Sequence, residues 1–393
     1  MTGRGADRRS LSQLGGRIVA RGETRLAELL ASAWRSASGE SRVLTHGFHA
    51  YPARSPPQLV RTMVAALSRP GDLVVDPFCG SGTTLVEAFA AGRRAFGCDV
   101  NGVAVRLARL KTARTSVPAR AALVGAAERI ARRGSVAARQ HDVDSPDEAP
   151  AELRAWFAPH VWRELDALGR AVDEVGDPER HSELLLVLSS LLTKLSLKRA
   201  ETSEERAPKR IAAGFAARLF AERTRELVAG LAALAAAAPA GTPQPLVALA
   251  DARAAPLRSG VARLVVTSPP YLGTYDYSEI HALRARLLSI PLAASQRREI
   301  GARSAANEAP ARAIARFRGD LAASLLEIGR LLAPDGTAVI VLGDSRAGRR
   351  AVDAEDLVQE SAREAGLSIV AAAAQEREGP LREHLIALRP MRA

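Results

Sequence analysis

The 393-residue sequence contains few cysteines and no long apolar segment. Its two cysteines, Cys79 and Cys98, are too few for a disulfide framework and show no metal-ligand spacing, so we expect a protein of the reducing cytoplasm without a bound metal. The longest apolar run, Leu231–Ala238, is much shorter than the ~18 residues of a membrane span, and we expect no membrane partner. Arginines at the start are not followed by an apolar segment, which argues against a secretory signal.

Lysine is also scarce, although the chain is basic. The formal net charge is +12, and only four of the 55 basic residues are lysines. A basic surface is expected for a protein that binds nucleic acid, but an arginine-rich and alanine-rich composition also results from the codon bias of a GC-rich genome. Charge alone therefore leaves both explanations open. With 47% hydrophobic and 25% charged residues, the composition supports a sizeable core and excludes a mostly disordered or fibrous chain.

Strands and helices alternate in the first half of the sequence. Leu73–Val75 is a short apolar run typical of a buried strand, and a helix follows at Leu85–Ala91. A second strand at Arg94–Cys98 precedes a helix at Val103–Lys111. This rhythm predicts the opening of a doubly wound α/β sheet.

The rhythm stops at about residue 118 and resumes at about residue 246, which suggests four regions. Residues 1–44 form an amino-terminal arm, either flexible or carrying a helix packed on the main body. Residues 45–117 form the first part of the core, and residues 118–240, which show only helical periodicity, form an insertion. Residues 241–393 complete the core, with strands expected near 246–249, 263–266, 338–342, 367–371 and 383–388. Length alone is compatible with one to three domains.

A glycine-containing turn, Asp76–Thr84, lies between the first strand and its helix. Glycines there allow a ligand to approach the backbone amides at a helix amino terminus, and Asp99 ends the next strand, where an acid binds ribose hydroxyls in such folds. The dinucleotide spacing G-x-G-x-x-G and the G-K-[ST] ending of a P-loop are both absent, so neither NAD nor ATP is favoured. The whole string resembles the cofactor loop of S-adenosylmethionine (SAM)-dependent methyltransferases that methylate exocyclic amino groups of bases.

That resemblance implies a set of cofactor-binding residues. The glycine loop would wrap the methionine part of SAM, Asp99 would hold the ribose, and Asp251 would meet the adenine amino group, although a solvated loop carboxylate explains Asp251 nearly as well. The segment His46–Val60 is similar to the motif that precedes this loop in the family and adds a tyrosine and an arginine. The implied residues are Tyr51, Arg54, Asp76, Pro77, Phe78, Cys79, Gly80, Ser81, Gly82, Thr83, Asp99 and Asp251.

A second motif, Ser268-Pro269-Pro270-Tyr271, follows an apolar strand. Two prolines make this backbone rigid and remove two N–H donors, so its oxygens can accept hydrogen bonds from an NH₂ group. The tyrosine ring would supply a stacking surface for a flipped-out base. The motif is similar to the catalytic motif of DNA amino-methyltransferases, where a first-position serine is common in enzymes that form N4-methylcytosine. By this resemblance Ser268, Pro269, Pro270 and Tyr271 are catalytic.

Two further features have an open interpretation. The stretch Lys194–Arg210 holds three of the four lysines and either contacts DNA phosphates or is a solvated loop. Tyr275 and Tyr277 either border the base pocket or pack the loop after the catalytic motif.

The expected protein is a Rossmann-like SAM-dependent DNA methyltransferase of the kind found in restriction–modification, which forms N4-methylcytosine and uses the insertion to recognise its target. The alternatives are an N6-adenine enzyme, an RNA guanine-N2 methyltransferase and a non-catalytic DNA-associated protein. RNA enzymes with a related motif usually carry an amino-terminal RNA-binding domain, for which the 44 residues before the first motif leave no room.

Overall fold

The computed structural model describes residues 16–38, 42–140, 156–198, 205–207, 209–274, 276–302, 309–348, 350–376 and 381–391. Its strands are β1 Ile18–Gly22, β2 Leu73–Asp76, β3 Arg94–Asp99, β4 Leu246–Leu249, β5 Ala262–Thr267, β6 Leu332–Gly343, β7 Ser345–Ala347, β8 Arg350–Val352, β9 Leu367–Glu376 and β10 Arg382–Pro390. Its helices are α1 Thr24–Ser36, α2 Pro57–Leu67, α3 Thr83–Ala90, α4 Gly102–Lys111, α5 Val117–Gln140, α6 Pro159–Asp173, α7 Pro178–Leu195, α8 Phe215–Ala237, α9 Tyr277–Ile280, α10 Ala282–Leu287, α11 Ala293–Arg298, α12 Pro310–Leu331 and α13 Ala354–Glu364.

Eight strands form one sheet in the order β1-β9-β10-β6-β5-β2-β3-β4. Strands β4, β3, β2, β5 and β6 are parallel, and β10 runs antiparallel between β6 and β9. The chain moves from β2 outward to β4 and then returns to the other side of β2 with β5, so the sheet has a switch point between β2 and β5. In open α/β sheets ligands bind at such a point, beyond the carboxyl ends of the strands. The Rossmann-like α/β fold expected from the sequence is confirmed.

Alternate residues of the strands face opposite helical layers, because successive side chains of a strand point to opposite faces of the sheet. Val74 packs with helices α1 to α3, whereas its neighbour Val75 packs with α12 and α13. Val339 and Ile340 divide between the two layers in the same way. The central strands are thus buried on both faces, as expected for a parallel sheet.

The described part of the amino-terminal region packs against the sheet. Strand β1 extends the sheet by pairing antiparallel with β9, Ile18 lying opposite Gln375. Helix α1 buries Leu26, Leu30 and Trp34 against the sheet, and the Trp34 indole N–H donates to the Ala373 carbonyl at 2.9 Å. The alternative of a helix packed on the main body thus describes this region, while residues 1–15 of the expected arm lie outside the described ones.

Residues 118–240, here called the helical block, contain α5 to α8 among their described residues. The block shares one apolar cluster with Leu107 of α4 and Phe48. Gly230 in α8 allows a close approach, because a Cβ there would lie 2.4 Å from the Leu44 carbonyl oxygen. The block is therefore packed against the sheet domain close to the glycine loop. None of the helices in the described part of the chain has the length and apolar character to cross a membrane.

Candidate active site

A cavity opens at the carboxyl edge of the sheet, at the switch point. Asp76 ends β2, Asp99 ends β3 and Ser268 follows β5, and all three line this cavity. It contains about 930 Å³ of empty space up to and including its open mouth. Parallel strands end at the same edge, so motifs separated by almost 200 residues in the sequence meet here.

The glycine loop is held in the left-handed conformation that glycine favours. Gly80 has φ +48° and Gly82 has φ +85°, where α3 begins. The Gly80 N–H donates to Asp99 Oδ2 at 3.0 Å, and the Cys79 N–H donates to the Cys98 carbonyl at 3.0 Å. These bonds fix the loop against β3 and direct the amino terminus of α3 towards the cavity.

Two buried carboxylates face the cavity. Asp76 accepts hydrogen bonds from the Thr267 hydroxyl at 2.6 Å and the Phe78 N–H at 3.1 Å, which ties the glycine loop to the strand before Ser268. Asp99 accepts from the amides of Gly80 and Asn101. Desolvation by burial raises the pKa of Asp76 to about 6 and that of Asp99 to about 6.

Asn101 is a pocket residue that the sequence analysis did not single out. Its side-chain oxygen caps α4 by accepting from the Val103 N–H at 2.9 Å. Its Nδ2 is buried without a hydrogen-bond partner among the described residues. Because buried donors are normally satisfied, this amide beside Asp99 fits a polar ligand with acceptor atoms.

The segment before the loop forms another wall of the cavity, where Tyr51 and Arg54 both lie. A buried network holds this segment in place: His46 Nε2 lies 2.8 Å from Glu87 Oε1, and Arg61 Nε donates to Glu87 Oε2 at 2.8 Å. Desolvation lowers the pKa of His46 to about 4, so the imidazole is neutral at pH 7. The Tyr51 ring stacks on His281, with centroids 4.8 Å apart.

The catalytic motif is divided between the cavity and the core. Ser268 and Pro270 line the cavity, whereas Tyr271 is only 9% exposed and packs in the cluster with Phe317. The Tyr271 hydroxyl donates to Glu383 Oε1 at 2.5 Å. The expected stacking surface is therefore largely covered in this structure.

Asp251 lines the cavity but already has a partner. Its two carboxylate oxygens accept from Arg253 at 2.9 and 2.7 Å. Despite partial burial, the bonds from Arg253 keep the pKa of Asp251 below its usual range. An adenine amino group would have to share this carboxylate with Arg253.

Most of the residues implied by the resemblance meet in one place. The cavity is lined by Tyr51, Arg54, Asp76, Pro77, Phe78, Cys79, Gly80, Ser81, Thr83, Asp99, Asp251, Ser268 and Pro270. Gly82, Pro269 and Tyr271 are not among its lining residues.

Residues 277–300, here called the cover segment, contribute further lining residues. These are Tyr277, Ser295, Arg298, Glu299 and Ile300. Of the two tyrosines left open by the sequence, Tyr277 borders the cavity, and Tyr275 lies outside the described residues. Only the position of this segment just after the catalytic motif could have indicated it.

The lysines of the Lys194–Arg210 stretch make contacts within the protein. Lys198 Nζ lies 3.8 Å from the centroid of the Trp156 ring. Lys209 Nζ donates to the carbonyls of Thr193 and Lys194 at the end of α7, at 3.2 and 3.3 Å. These contacts favour a packed role over a phosphate contact, while residues 199–204 and 208 of the stretch lie outside the described residues.

A cluster of possible metal ligands, Asp344, Asp353 and His384, lies near the same edge of the sheet. Asp344 accepts from the amides of Ala354 and Arg382 and lies 2.9 Å from His384 Nε2. Asp353 caps α13. These bonds connect β6, β10 and α13, so the three side chains have a structural role at this edge of the sheet.

Comparison with known families identifies the first part of the site. Residues 21–110 match the family described as DNA methylase. The match contains the pre-loop segment, the glycine loop and Asp99, and it ends before Ser268. The resemblance to the amino-methyltransferase family expected from the sequence is confirmed over this region, and it supports SAM as the cofactor.

Individual relatives match over short segments. DNA adenine methyltransferase YhdJ of Escherichia coli is 36% identical over 66 residues, which is 17% of this chain and 22% of the relative. Type II methyltransferase M.MvaI of Kocuria varians is 36% identical over 75 residues, 18% of this chain and 16% of the relative. The tRNA (guanine(10)-N2)-dimethyltransferase of Methanocaldococcus jannaschii is 48% identical over 46 residues, 12% of this chain and 13% of the relative.

The chain thus spans less than a quarter of the length of these relatives. Among solved structures, TrmN from Thermus thermophilus aligns with a TM-score of 0.32 and 13% identity over 85% of this chain and 49% of that one. This low similarity adds nothing to the strand order described above.

Proposed function

Because residues 21–110 match the DNA methylase family, we propose that this chain transfers the methyl group of SAM to the exocyclic amino group of a base in DNA, with cytosine N4 as the acceptor. One observation carries the proposal: the glycine loop, Asp99 and Ser268 line a single cavity at the switch point of the sheet. The residues proposed to bind the cofactor and the polar group proposed to bind the acceptor therefore border the same space.

The residues around the cavity fit the proposed cofactor. Asp99 has lone pairs left for ribose hydroxyls after accepting two backbone N–H bonds. The buried Nδ2 of Asn101 offers a donor next to it. Arg54 gives a cationic group on the wall formed by the pre-loop segment, where a carboxylate would be favoured. When bound, SAM supplies an electrophilic methyl group.

The acceptor base is oriented by the catalytic motif. The Ser268 hydroxyl, which lines the cavity, accepts a hydrogen bond from the base NH₂ group, so the lone pair of the amino nitrogen is directed at the methyl carbon. Holding the two reactants in line lowers the barrier because little orientational freedom is left to lose. Serine is too weak a base to remove the proton beforehand, so the amino nitrogen loses it during or after transfer.

Ser268 is the observation that favours cytosine, since a serine at this position resembles the N4-cytosine enzymes. Two other acceptor bases, adenine and guanine, are each suggested by the name of a relative. One relative is named as a DNA adenine methyltransferase, and another is named for tRNA guanine-N2. Both are outcomes of the experiment below.

Two arginines of the β7–β8 hairpin, which lies close to the chain just after the catalytic motif, support a nucleic-acid partner. The β7–β8 hairpin follows β6 at the carboxyl edge, and the Arg346 carbonyl would lie 3.5 Å from a Cβ placed on Gly273, just after the catalytic motif. Ala347 and Val352 anchor the hairpin in the core. Arg346 and Arg350 are exposed and form no ion pair within the part of the chain that the structure describes. A phosphate backbone crossing the cavity mouth would meet these charges.

Contacts of the helical block with the cavity walls support a role in target recognition. Phe48 of the pre-loop segment and Leu288 of the cover segment both pack in its apolar cluster. The block therefore adjoins two walls of the cavity, and we assign it the recognition of bases around the target.

The experiment is product analysis. Purified protein is incubated with deuterium-labelled SAM and, separately, with DNA and RNA of mixed sequence, and the nucleosides are separated by mass spectrometry. We expect labelled N4-methylcytosine from DNA, formed at least tenfold more slowly by a matched Ser268→Ala variant. Labelled N6-methyladenine would show that adenine is the acceptor base and would leave the proposed chemistry unchanged. A labelled product in RNA alone would show that the substrate is RNA. No labelled nucleoside from either polymer would refute the proposed activity.

A further inference from the structure

A buried carboxylate lies behind the catalytic motif. Glu383 is at the start of β10, opposite Gly343 of β6, and it has no exposed surface. Because β10 runs antiparallel, its first residues lie at the carboxyl edge of the sheet, beside the end of β6 and one strand away from the end of β5. Glu383 Oε1 accepts the hydrogen bond from the Tyr271 hydroxyl at 2.5 Å.

Burial of a carboxylate is unfavourable unless hydrogen bonds compensate it. The Tyr271 ring lies in an apolar cluster with Phe317 and Leu342, where a phenylalanine would pack without needing an acceptor. The chain instead places a tyrosine hydroxyl and a glutamate in hydrogen-bond contact, although the two residues are 112 positions apart in the sequence. Burial of the Glu383 carboxylate is therefore unfavourable for stability, and the packing of the Tyr271 ring does not require it.

Tyr271 is restrained at both ends, by the prolines before it and by Glu383. On the backbone side, Pro269 and Pro270 fix the direction in which the chain enters residue 271. On the side-chain side, the bond to Glu383 fixes where the hydroxyl points. With both ends held, the ring and the adjoining Ser268–Pro270 backbone have little freedom to change their orientation toward the cavity.

We propose that Glu383 is a positioning residue for the methyl transfer, which holds Tyr271, and through it the acceptor oxygens of the catalytic motif, in the orientation that the base requires. This inference rests on the proposed function. Preorganised supporting residues of this kind matter because a small misplacement of reacting groups has a large effect on rate.

Three single variants and one double variant test this. Glu383→Gln keeps an oxygen acceptor of the same shape and is expected to retain turnover within about threefold. Glu383→Leu and Tyr271→Phe each remove the bond, and each is expected to lower kcat about tenfold, a change of ~1.4 kcal/mol in the barrier. The SAM dissociation constant should stay unchanged in all of them, since neither residue lines the cavity.

The double variant Glu383→Leu/Tyr271→Phe separates positioning from stability. Tyr271→Phe alone leaves a buried carboxylate without this donor and can destabilise the fold, whereas replacing both partners by apolar groups of similar shape is nearly neutral. The double variant should therefore unfold at a temperature close to that of the unsubstituted protein, yet have a kcat no lower than either single variant and still about tenfold reduced. Such non-additivity is expected when both changes remove one interaction.

Two results would overturn the inference: normal kcat in a folded Glu383→Leu variant, or recovery of normal kcat in the double variant, which would make the pair a stability element only. Failure of the proposed function has a different signature. In that case the unsubstituted protein itself gives no labelled nucleoside, and the positioning role falls with it.

Discussion

Replacement of Gly80 by valine tests the cofactor site most directly. Gly80 has φ +48° in the middle of the glycine loop, and a Cβ there would lie 3.2 Å from Cε1 of Tyr51. Gly71 provides a matched control, because it also has a positive φ (+87°) but no atom within 4 Å of the Cβ position. Gly71 lies before β2, at the opposite edge of the sheet.

The two variants share the backbone strain and differ in the contact. An L-residue in the left-handed region costs about 1–2 kcal/mol, so both proteins should lose stability by a similar amount. Only at Gly80 must the loop or the Tyr51 ring also shift, and the methyl groups of valine enter a wall of the cavity. Overpacking of this kind costs about 1–3 kcal/mol. Where the valine methyl groups occupy space that SAM needs, the same cost of about 1–3 kcal/mol opposes SAM binding. This corresponds to a loss of SAM affinity of about 5- to 150-fold.

Isothermal titration with SAM and a thermal unfolding curve on each variant measure both effects. We expect Gly80→Val to bind SAM at least fivefold more weakly than the unsubstituted protein, and Gly71→Val to bind it normally. Unchanged affinity in a folded Gly80→Val protein would show that SAM does not occupy this loop. Equal loss of affinity in both variants would show that the effect is global.

Three other measurements address the rest of the site. Burial raises the pKa of Asp99 to about 6 in the free protein, and ribose hydroxyls favour its ionised form. SAM affinity should therefore increase by about tenfold from pH 5 to pH 7. Calorimetric titration with SAM at both pH values checks this, and equal affinities would exclude Asp99 as the ribose ligand. Ser268→Ala should lower kcat at least tenfold with an unchanged SAM dissociation constant, as measured by product formation and calorimetry, whereas a normal kcat would remove Ser268 from the mechanism. Arg346→Gln/Arg350→Gln should reduce the salt slope of DNA binding by about two units. Arg69→Gln/Arg94→Gln at the opposite edge of the sheet removes the same number of charges and serves as the control. Equal slopes in the two double variants would remove the hairpin from the DNA interface.

The strands that hold the site could be predicted from the sequence because their information is local. Runs such as Leu73–Val75 and Arg263–Val266 are short, apolar and followed by turn residues, and they are observed as β2 and β5. Since parallel strands end together, the meeting of Asp76, Asp99 and Ser268 also follows from the motifs alone.

Features that depend on distant partners could not be predicted. Strand β1, with the sequence IVARG, is mostly exposed and owes its conformation to pairing with β9. The covered position of Tyr271 depends on Glu383, and the resemblance from which its role was inferred contains no information about that partner. The lysines at 198 and 209 look like candidate phosphate ligands until their contacts with Trp156 and the end of α7 are known.

The pairing of β1 with β9 also sets an order of assembly during synthesis. Ile18–Gly22 leaves the ribosome early, but its partner strand begins only at Leu367. At about 5–20 residues per second, the first strand waits on the order of 20 to 70 s. During that time β2, β3 and β5 can pair, because their sequences are already available. The pairing of β1 with β9 at the edge of the sheet is then a late event of folding. Glu383 is synthesised at about the same time, so its hydrogen bond to Tyr271 also forms late.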